Sequence, residues 1–401
     1  MRRRAMMAGL AVALTAVLPG APADAQEAPP AANRIGISGD IEAGLTLSPG
    51  GRSPLTGPPL TDRANVPLFN QALLTIEKPP DPSPRVITAG FHLQLLFGSD
   101  ARYTRLTGQF ADATVDRAAF DVVEAQLRLR LPVARGIDVR IGSYVSPVGY
   151  EVLAAPDNIF YSHSYIFSFG VPTKHAGLLT TTHLRGGFDI YAGIDAGVNA
   201  SIERDDNGAA AFIVGFGYAR DALSLVALSH IGPELPRGAP GVRPNRDLRY
   251  VNDVFLTWQI SKRLMLVSEL NYVRDDGLRA EAGGFAQYAV YTLGPRLSIA
   301  GRAELWRDDK GVFVARFPGV NDALNAQLGL ASSAQLVGAA TYLSLTAGLS
   351  WRPWKRGGAA GVRLRPELRY DRALAGRPFD EGRGQDQWTL AADIVLPFRL
   401  R

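Results

Sequence analysis

The 401-residue sequence contains no cysteine, so neither disulfide bonds nor thiolate metal sites hold this protein together. It also lacks, after its first residues, any uninterrupted apolar run of about 20 residues, which excludes a protein that crosses a membrane by helices. An excess of one charge is missing too, because 43 basic and 38 acidic residues give a net charge of only +5. This balance excludes a nucleic-acid-binding protein from the candidate classes.

The beginning of the chain has the layout of an export signal. Three arginines precede an apolar run at residues 5–18, and an A-x-A cleavage site occupies residues 23–25. We therefore predict a signal peptide over residues 1–25; a retained membrane anchor is the alternative, although the apolar run is short for a span. Removing three Arg and one Asp with the signal leaves 40 basic and 37 acidic residues, a net charge of +3. The proline-containing residues 26–33 are predicted to be a disordered periplasmic leader.

What the sequence has in abundance is alternation of apolar and polar residues with a period of two. Between residues 33 and 47 the apolar residues share one parity, and Ser38, Asp40, Glu42 and Thr46 share the other. The same alternation recurs at residues 87–97, 123–131, 188–199, 264–271, 343–351 and 362–370. A period of two predicts β-strands with one apolar and one polar face.

The connections between these segments are alternately long and short. The long ones are residues 48–67, 98–117, 232–248, 307–337 and 372–385, and they are separated by short turns such as Arg185-Gly186-Gly187. A soluble β-sandwich would show the same alternation, so the connection lengths decide between the two folds. Long loops at one end and short turns at the other are typical of outer-membrane barrels. We predict an all-β, closed antiparallel transmembrane β-barrel of about sixteen strands, to within two, over residues 34–398.

One irregular stretch, residues 146–175, is rich in aromatic side chains. It contains Tyr150, Phe160, Tyr161, Tyr165, Phe167 and Phe169. Connections longer than about 12–15 residues are usually functional or disordered, and disordered segments lack aromatic residues. We therefore predict that this long loop folds inward and occupies the barrel.

Three sequence segments around this loop carry a family resemblance. They are GSYVSPVGYE at residues 142–151, NIFYSHSYIFSFGVP at residues 158–172 and KHAG at residues 174–177. These segments resemble the OmpL-like outer-membrane β-barrel porin-2 family, and outside them the likeness is architectural. The resemblance implies a passive channel in the bacterial outer membrane, and it supplies no set of functional residues to carry over.

The last predicted strand resembles the C-terminal strand of outer-membrane proteins. Its apolar parity runs from Trp388 to Phe398, and three further residues follow the Phe. The resemblance implies that the barrel-assembly machinery is a partner. Trp258, Trp351 and Trp388, which lie at or near strand ends, are predicted to belong to the aromatic girdles at the lipid interface.

Charged residues on the polar parity are candidates for the pore wall. They are Arg128, Arg130, Arg140, Glu124, Asp138, Arg363, Arg365, Glu367 and Arg369. If the apolar parity, which includes Val123, faces lipid, these side chains face the lumen, since an Arg at the bilayer midplane costs about 2–4 kcal/mol. Two interpretations stay open: a charged constriction, or ion pairs within the wall that only satisfy buried charge.

The candidate constriction residues are Tyr150, Glu151, Asp157, Tyr161 and Tyr165. The tyrosines could stack on sugars or simply pack against the wall, and packing is the simpler interpretation. Three arginines against two acids on strands 123–131 and 137–141 leave a small positive excess, which predicts a mild anion preference. The two loop carboxylates would cancel this excess if both face the constriction.

These observations predict a porin that passes small hydrophilic solutes or ions, with outer-membrane lipid as its surroundings and a homo-oligomer as an open alternative. Catalytic residues, cofactors and metal ligands are not predicted, because the five His residues are scattered without an H-E-x-x-H pair. The alternatives are a structural barrel that does not conduct and a barrel hydrolase. A hydrolase would use Asp157 with Ser162, His163 and Ser164, but the sequence has no G-x-S-x-G motif.

Overall fold

A computed structural model describes residues 34–400 except 50, 52, 83–84, 108, 110–113, 116, 240, 244, 328–331 and 355–360. The predicted signal peptide (1–25) and leader (26–33) lie outside the described residues. Within the described part of the chain, none of the helices combines the length and the apolar character needed to cross a membrane.

Sixteen long strands form one antiparallel sheet in which each strand pairs with its neighbours in the sequence. The strands are β1 Gly36–Leu47, β2 Pro67–Lys78, β3 Thr88–Gly98, β4 Ala118–Leu131, β5 Ile137–Val145, β6 Lys174–His183, β7 Phe188–Asp195, β8 Ala211–Arg220, β9 Leu223–Gly232, β10 Arg249–Gln259, β11 Leu264–Asp275, β12 Ala280–Gly294, β13 Leu297–Asp308, β14 Ala340–Trp351, β15 Arg363–Ala373 and β16 Asp386–Leu400. β1 also pairs with β16, from Ile37 opposite Leu400 to Leu47 opposite Leu390. This pairing closes the barrel and confirms the predicted fold and strand number.

The connections contain only short elements. The short strands are Thr114–Val115, Ala315–Arg316 and Gln335–Leu336, and the α-helices are α1 Ala101–Thr104 and α2 Asp322–Gln327. Single turns of 3-10 helix occupy Pro59–Thr61, Ala155–Asp157, Arg185–Gly187, Ile202–Arg204 and Asp380–Gly382, and a π-helical turn occupies Ile166–Gly170. Most of the long connections lie at one end of the barrel, where β11 and β12 are joined by residues 276–279 alone. At the other end the longest connection, between β14 and β15, spans residues 352–362.

The two faces of the wall follow the sequence alternation. In β1 the side chains of Asp40, Glu42 and Thr46 are buried in the interior, while Ile41 and Leu47 are 38% and 40% exposed on the outside. The same apolar band continues around the barrel, and the girdle candidates Trp258, Trp351 and Trp388 are exposed on it. An apolar exterior over a polar interior is the arrangement that a lipid bilayer requires.

One residue departs from the predicted parity. In the pairing of β3 with β4, Gln94 lies opposite Glu124 and Leu95 lies opposite Val122, so Val123 has no partner. This β-bulge turns the Val123 side chain inward, where it is completely buried. The prediction that Val123 faces lipid is therefore wrong. The extra residue in β4 reverses which side chains point inward and which point outward in the part of the strand before the bulge.

Candidate functional site

The aromatic loop between β5 and β6, residues 146–173, lies inside the barrel, which confirms the predicted inward fold. Tyr150, Tyr161 and Tyr165 are each no more than 3% exposed, although all three belong to an irregular connection. Burial to this extent in a connecting segment requires that the wall provide apolar contacts and partners for the loop's backbone.

Two of the loop tyrosines pack against aromatic side chains of the wall. The ring of Tyr150 lies 5.0 Å from that of Tyr288 and 6.0 Å from that of Phe255, both centroid to centroid. The ring of Tyr165 stacks on that of Tyr342 at 4.8 Å. These contacts support the packing interpretation of the tyrosines, since their faces are covered by protein.

The third loop tyrosine, Tyr161, packs against the wall at a glycine. The Tyr161 hydroxyl donates a hydrogen bond to Asn70 Oδ1 at 3.0 Å. A Cβ atom at Gly44 would lie only 2.3 Å from the Tyr161 ring. Gly44 is therefore needed for close approach, and a larger residue there would push the loop away from β1.

Wall carboxylates bind backbone amides of the loop. The hydrogen bonds are Tyr150 N to Glu269 at 2.8 Å, Tyr161 N and Ser162 N to Glu367 at 2.9 and 3.2 Å, and Tyr165 N and Ile166 N to Glu304 at 2.9 Å each. Three strands of the wall, β11, β13 and β15, thus hold the loop by its N–H groups.

Wall arginines bind the carbonyl groups of the same loop. Arg302 donates to Ser162 O at 2.9 Å and His163 O at 3.3 Å, Arg369 to His163 O at 2.6 Å, Arg365 to Ala155 O at 2.9 Å and Asn158 O at 2.8 Å, and Arg363 to Pro156 O at 2.7 Å. We call this set of three glutamates and four arginines the loop clasp. It replaces the regular hydrogen bonds that an irregular segment cannot make for itself.

A buried ion pair joins the loop to the clasp. Glu151 Oε1 lies 2.7 Å from Arg302 Nη1 and accepts from the Tyr288 hydroxyl at 3.1 Å, while its Oε2 lies 3.0 Å from His163 Nδ1 and accepts from Ser164 N at 2.8 Å. Glu151 belongs to the loop and not to a spanning strand. Burial alone would raise the pKa of this carboxyl group, but Arg302 and His163 outweigh burial and lower the pKa to about 2.

Two of the clasp arginines form ion pairs with carboxylates of the wall. Arg365 pairs with Asp393 and with Glu42, the latter at 2.9 Å, and Arg369 pairs with Asp371 at 2.8 Å. Both arginines are nearly fully buried. The structure thus brings the predicted residues Arg363, Arg365, Glu367 and Arg369 together with the predicted loop, and places them in contact with its backbone.

The remaining predicted wall residues lie on β4 and β5 and make no hydrogen bond or ion pair with the loop among the described residues. Arg128 pairs with Glu77 at 3.3 Å, and Arg130 pairs with Asp138 at 2.9 Å. Arg140 lies opposite Arg128 in the β4–β5 pairing, is partly exposed, and has no ion pair in the described part of the chain.

The two remaining acidic candidates, Glu124 and Asp157, make no ion pair with these arginines among the described residues. Glu124 is close to His92, with 3.7 Å between the carboxylate and Nε2. Asp157 is exposed beside Pro156, at the edge of the loop clasp.

Sequence analysis did not single out Arg302, Glu304 or Glu269 as site residues. A signal was present, because Arg302 and Glu304 alternate with Ala303 and Leu305 and so share the inward parity of β13. Periodicity alone could not show that these side chains, more than 100 residues from the loop, would contact it.

A closed sixteen-stranded barrel with a long loop held inside it defines the class of outer-membrane porins. The chain matches the family described as "Putative beta-barrel porin-2, OmpL-like" over residues 34–398, and it belongs to this family. The protein is therefore a porin, a passive channel of the bacterial outer membrane. No match was found among curated proteins.

Solved structures share the fold at low sequence identity. OmpF of Salmonella typhi in complex with daunomycin is 14% identical, with 91% of this chain and 98% of that chain covered and a TM-score of 0.57. The outer-membrane channel DcaP of Acinetobacter baumannii is 13% identical, with coverage of 93% and 99% and a TM-score of 0.56. An anion-selective porin from Comamonas acidovorans is 12% identical, with coverage of 91% and 98% and a TM-score of 0.52.

Proposed function

We propose that small hydrophilic solutes or ions diffuse through this barrel past a constriction formed by residues 146–173. The observation that carries the proposal is the loop clasp, because it fixes an irregular segment inside the barrel through seven ionisable side chains, six of which are buried. Such an arrangement narrows a barrel whose strand number otherwise leaves an aqueous channel.

Conductance in a planar lipid bilayer tests this proposal. Purified protein should produce stepwise openings of uniform size. Sustained silence, with the barrel shown to be inserted, would overturn the proposal and favour a structural barrel. The measurement needs no knowledge of the natural solute.

We further propose a mild anion preference, carried by Arg140. This side chain lies opposite Arg128 on the neighbouring strand and has no ion pair among the described residues, whereas Arg128 pairs with Glu77. Its field acts over a Debye length of about 8 Å at physiological salt, which is comparable with the width of a constriction. A local positive excess in partly accessible wall favours anions.

The reversal potential under a salt gradient tests the selectivity. The wild type should prefer anions at low salt, and the preference should fade as salt rises. Arg140→Gln should reduce it, and Arg128→Glu with Arg130→Glu should shift it toward cations. Arg372→Gln is the matched control, because Arg372 is exposed at the far end of β15. A cation-selective wild type that ignores the double substitution would show that these arginines serve only as scaffold.

We propose that the protein has no hydrolase activity. His163 pairs with Glu151 and stacks on Phe167 at 4.1 Å, and Ser164 Oγ accepts from the Phe167 amide at 3.0 Å. These contacts do not form a chain from a nucleophile through a base to an orienting acid. Ester hydrolysis by the purified protein that disappears in His163→Ala would contradict the proposal.

We also propose a homo-oligomer, inserted by the barrel-assembly machinery after cleavage of residues 1–25. A solved neighbour, OmpT of Vibrio cholerae, is described as a trimer form, with 10% identity, 92% and 100% coverage and a TM-score of 0.53. Sedimentation in detergent should show more than one chain, and N-terminal sequencing of the exported protein should begin at Gln26. A monomer, or an uncleaved N-terminus, would refute the corresponding part.

A further inference from the structure

Three side chains from neighbouring parts of the wall converge near the end of the barrel that carries the long loops. His175 is the second residue of β6, Asp195 ends β7, and His230 lies near the end of β9. Asp195 Oδ1 lies 3.0 Å from His230 Nε2, and Asp195 Oδ2 lies 3.4 Å from His175 Nδ1. One ligand atom from each residue falls within 4.8 Å of the others, and all three side chains are completely buried. None of them belongs to the loop clasp.

The strand register explains how residues this far apart in the sequence meet. β8 lies between β7 and β9, and it places Ala211 opposite Asp195. On the other side of β8, Ala211 is so close to Gly232 that a Cβ atom on that glycine would lie 2.3 Å from the Ala211 Cβ. His230 itself lies opposite Ile213 of β8, two residues from Ala211, so its side chain reaches Asp195 diagonally across β8, past the small Ala211.

The outer nitrogen of each imidazole faces a second polar group. His175 Nε2 lies 3.0 Å from Ser146 Oγ. His230 Nδ1 lies 3.8 Å from Glu234 Oε1, and the other oxygen of Glu234 accepts from Val198 N at 2.8 Å. Metal-binding histidines almost always donate their second N–H to a polar partner that orients the ring. Ser146 and Glu234 lie beside these second nitrogens, and the 3.8 Å separation at Glu234 is longer than a hydrogen bond.

Four buried atoms of the cluster lack a hydrogen-bond partner among the described residues. They are His175 Nδ1, Asp195 Oδ2, His230 Nδ1 and Glu234 Oε1. Buried polar atoms in folded proteins nearly always have partners, so this concentration at one place needs an explanation. A cation between the imidazoles and the Asp195 carboxylate would satisfy the inward-facing atoms and offset the charge of two buried carboxylates.

We propose that His175, Asp195 and His230 bind a divalent transition-metal ion of the zinc type, with Ser146 and Glu234 orienting the two imidazoles. Two imidazoles and a carboxylate are donors that suit zinc better than calcium or magnesium, which take oxygen ligands. Bonds of about 2.0–2.1 Å in a tetrahedron separate donor atoms by about 3.3 Å. The two separations between an imidazole nitrogen and an Asp195 oxygen, 3.0 and 3.4 Å, are close to that value, and the three ligand atoms all lie within 4.8 Å of one another.

The same residues also follow the order of an acyl-transfer triad, from Ser146 through His175 to Asp195. Two observations favour the metal site. Asp195 is shared by two imidazoles and does not serve His175 alone, and Ser146 Oγ already accepts a hydrogen bond from Val148 N at 3.2 Å. A catalytic triad would also leave His230 and Glu234 without a role.

Zinc titration of the untagged, full-length barrel in detergent tests the proposal, after chelator treatment and with calorimetric detection. We expect one Zn²⁺ per chain and no comparable binding of Ca²⁺. His175→Gln and His230→Gln should each weaken binding by at least about 100-fold, and Glu234→Gln by about 10-fold, since outer partners contribute 10–100-fold to metal affinity.

The matched control is His183→Gln. His183 also lies between two carboxylates, but Asp189 is at 2.7 Å from its Nδ1 and Asp138 at 2.8 Å from its Nε2, so the acids face opposite ring nitrogens and cannot share an ion with it. Its substitution should leave zinc affinity unchanged.

Absence of stoichiometric zinc binding to the wild type would overturn the proposal, as would unchanged affinity in both ligand variants. Labelling of Ser146 by a fluorophosphonate would instead support the triad and also overturn it. If the variants fail to insert, the visible absorption spectrum of the wild type with added Co²⁺ provides the test. Intense absorption, typical of Co²⁺ bound tetrahedrally by nitrogen and oxygen, would support the proposal. The weak spectrum of hydrated Co²⁺ would refute it.

Discussion

Replacing Arg302 by Met removes the centre of the loop clasp. The guanidinium pairs with Glu151 at 2.7 Å, binds two loop carbonyls and bonds to Thr346 Oγ1 at 3.2 Å, all with no exposure to solvent. Met keeps most of the side-chain length but provides neither charge nor donors. The substitution therefore leaves Glu151 as a buried carboxylate without its cation.

Removing one partner of a buried ion pair costs about 3–5 kcal/mol, and Arg302 is buried well enough that solvent screening does not reduce this figure. Since 1.4 kcal/mol corresponds to a factor of ten, the equilibrium between docked and released loop should shift by about two to three and a half orders of magnitude. Adding Glu151→Gln removes the stranded charge while keeping an acceptor for Ser164 N. The double variant should recover about 0.5–3 kcal/mol, the usual coupling between contacting residues.

Single-channel recording and thermal denaturation measure this effect together. Arg302→Met should give larger, noisier currents and a lower denaturation midpoint, and the double variant should lie between it and the wild type. Arg307→Met is the matched control, because Arg307 lies on the same strand with its side chain exposed on the outside and, among the described residues, bonds only to Thr341, at 3.0 Å. If Arg302→Met behaves like Arg307→Met in both measurements, the clasp does not hold the loop.

Three further predictions follow from the same contacts. Deleting residues 154–169 should leave the barrel inserted and raise conductance, because water then reaches the freed wall charges; unchanged conductance would place the loop outside the lumen. The unheated protein should show a β-type circular-dichroism spectrum and a gel mobility that changes on boiling, since a closed barrel has no free edge, and substantial helix would refute the fold. The lowered pKa of Glu151, about 2 against an ordinary 4.5, means that its contribution to loop docking is complete above pH 4.5 and is lost as pH falls toward 2. Current noise should therefore rise over that interval in the wild type and less in Glu151→Gln; an identical pH response would contradict the ion pair.

The barrel could be predicted because its determinants are local. Alternation within a strand such as β1 depends on neighbouring residues, and the lengths of the connections are visible in the sequence itself. Local patterns fail where two strands must be compared. The bulge at Val123 depends on how β3 and β4 align, and no feature of β4 alone reveals it.

The candidate site could be predicted only in part, because its contacts join residues that are far apart in the chain. The aromatic content of residues 146–173 showed that the loop must be buried, and parity showed that Arg365 and Arg369 face inward. Neither observation assigns a wall charge to a loop backbone group 200 residues away. The His175 and His230 pair was missed for the same reason, since only the register across β8 brings the two imidazoles together.

The wall divides its charges between two tasks. The clasp residues lie on β11, β13 and β15, whereas Arg128, Arg130 and Arg140 lie on β4 and β5 and make no bond to the loop in the part of the chain that the structure describes. We expect a charge that is paired and bound to backbone to contribute mainly to holding the loop. A partly accessible side chain such as Arg140, which has no ion pair among the described residues, should contribute to the field that ions meet. We therefore expect constriction width and ion selectivity to be separable in this barrel: clasp substitutions should change conductance more than reversal potential, and substitutions at Arg140 should do the opposite.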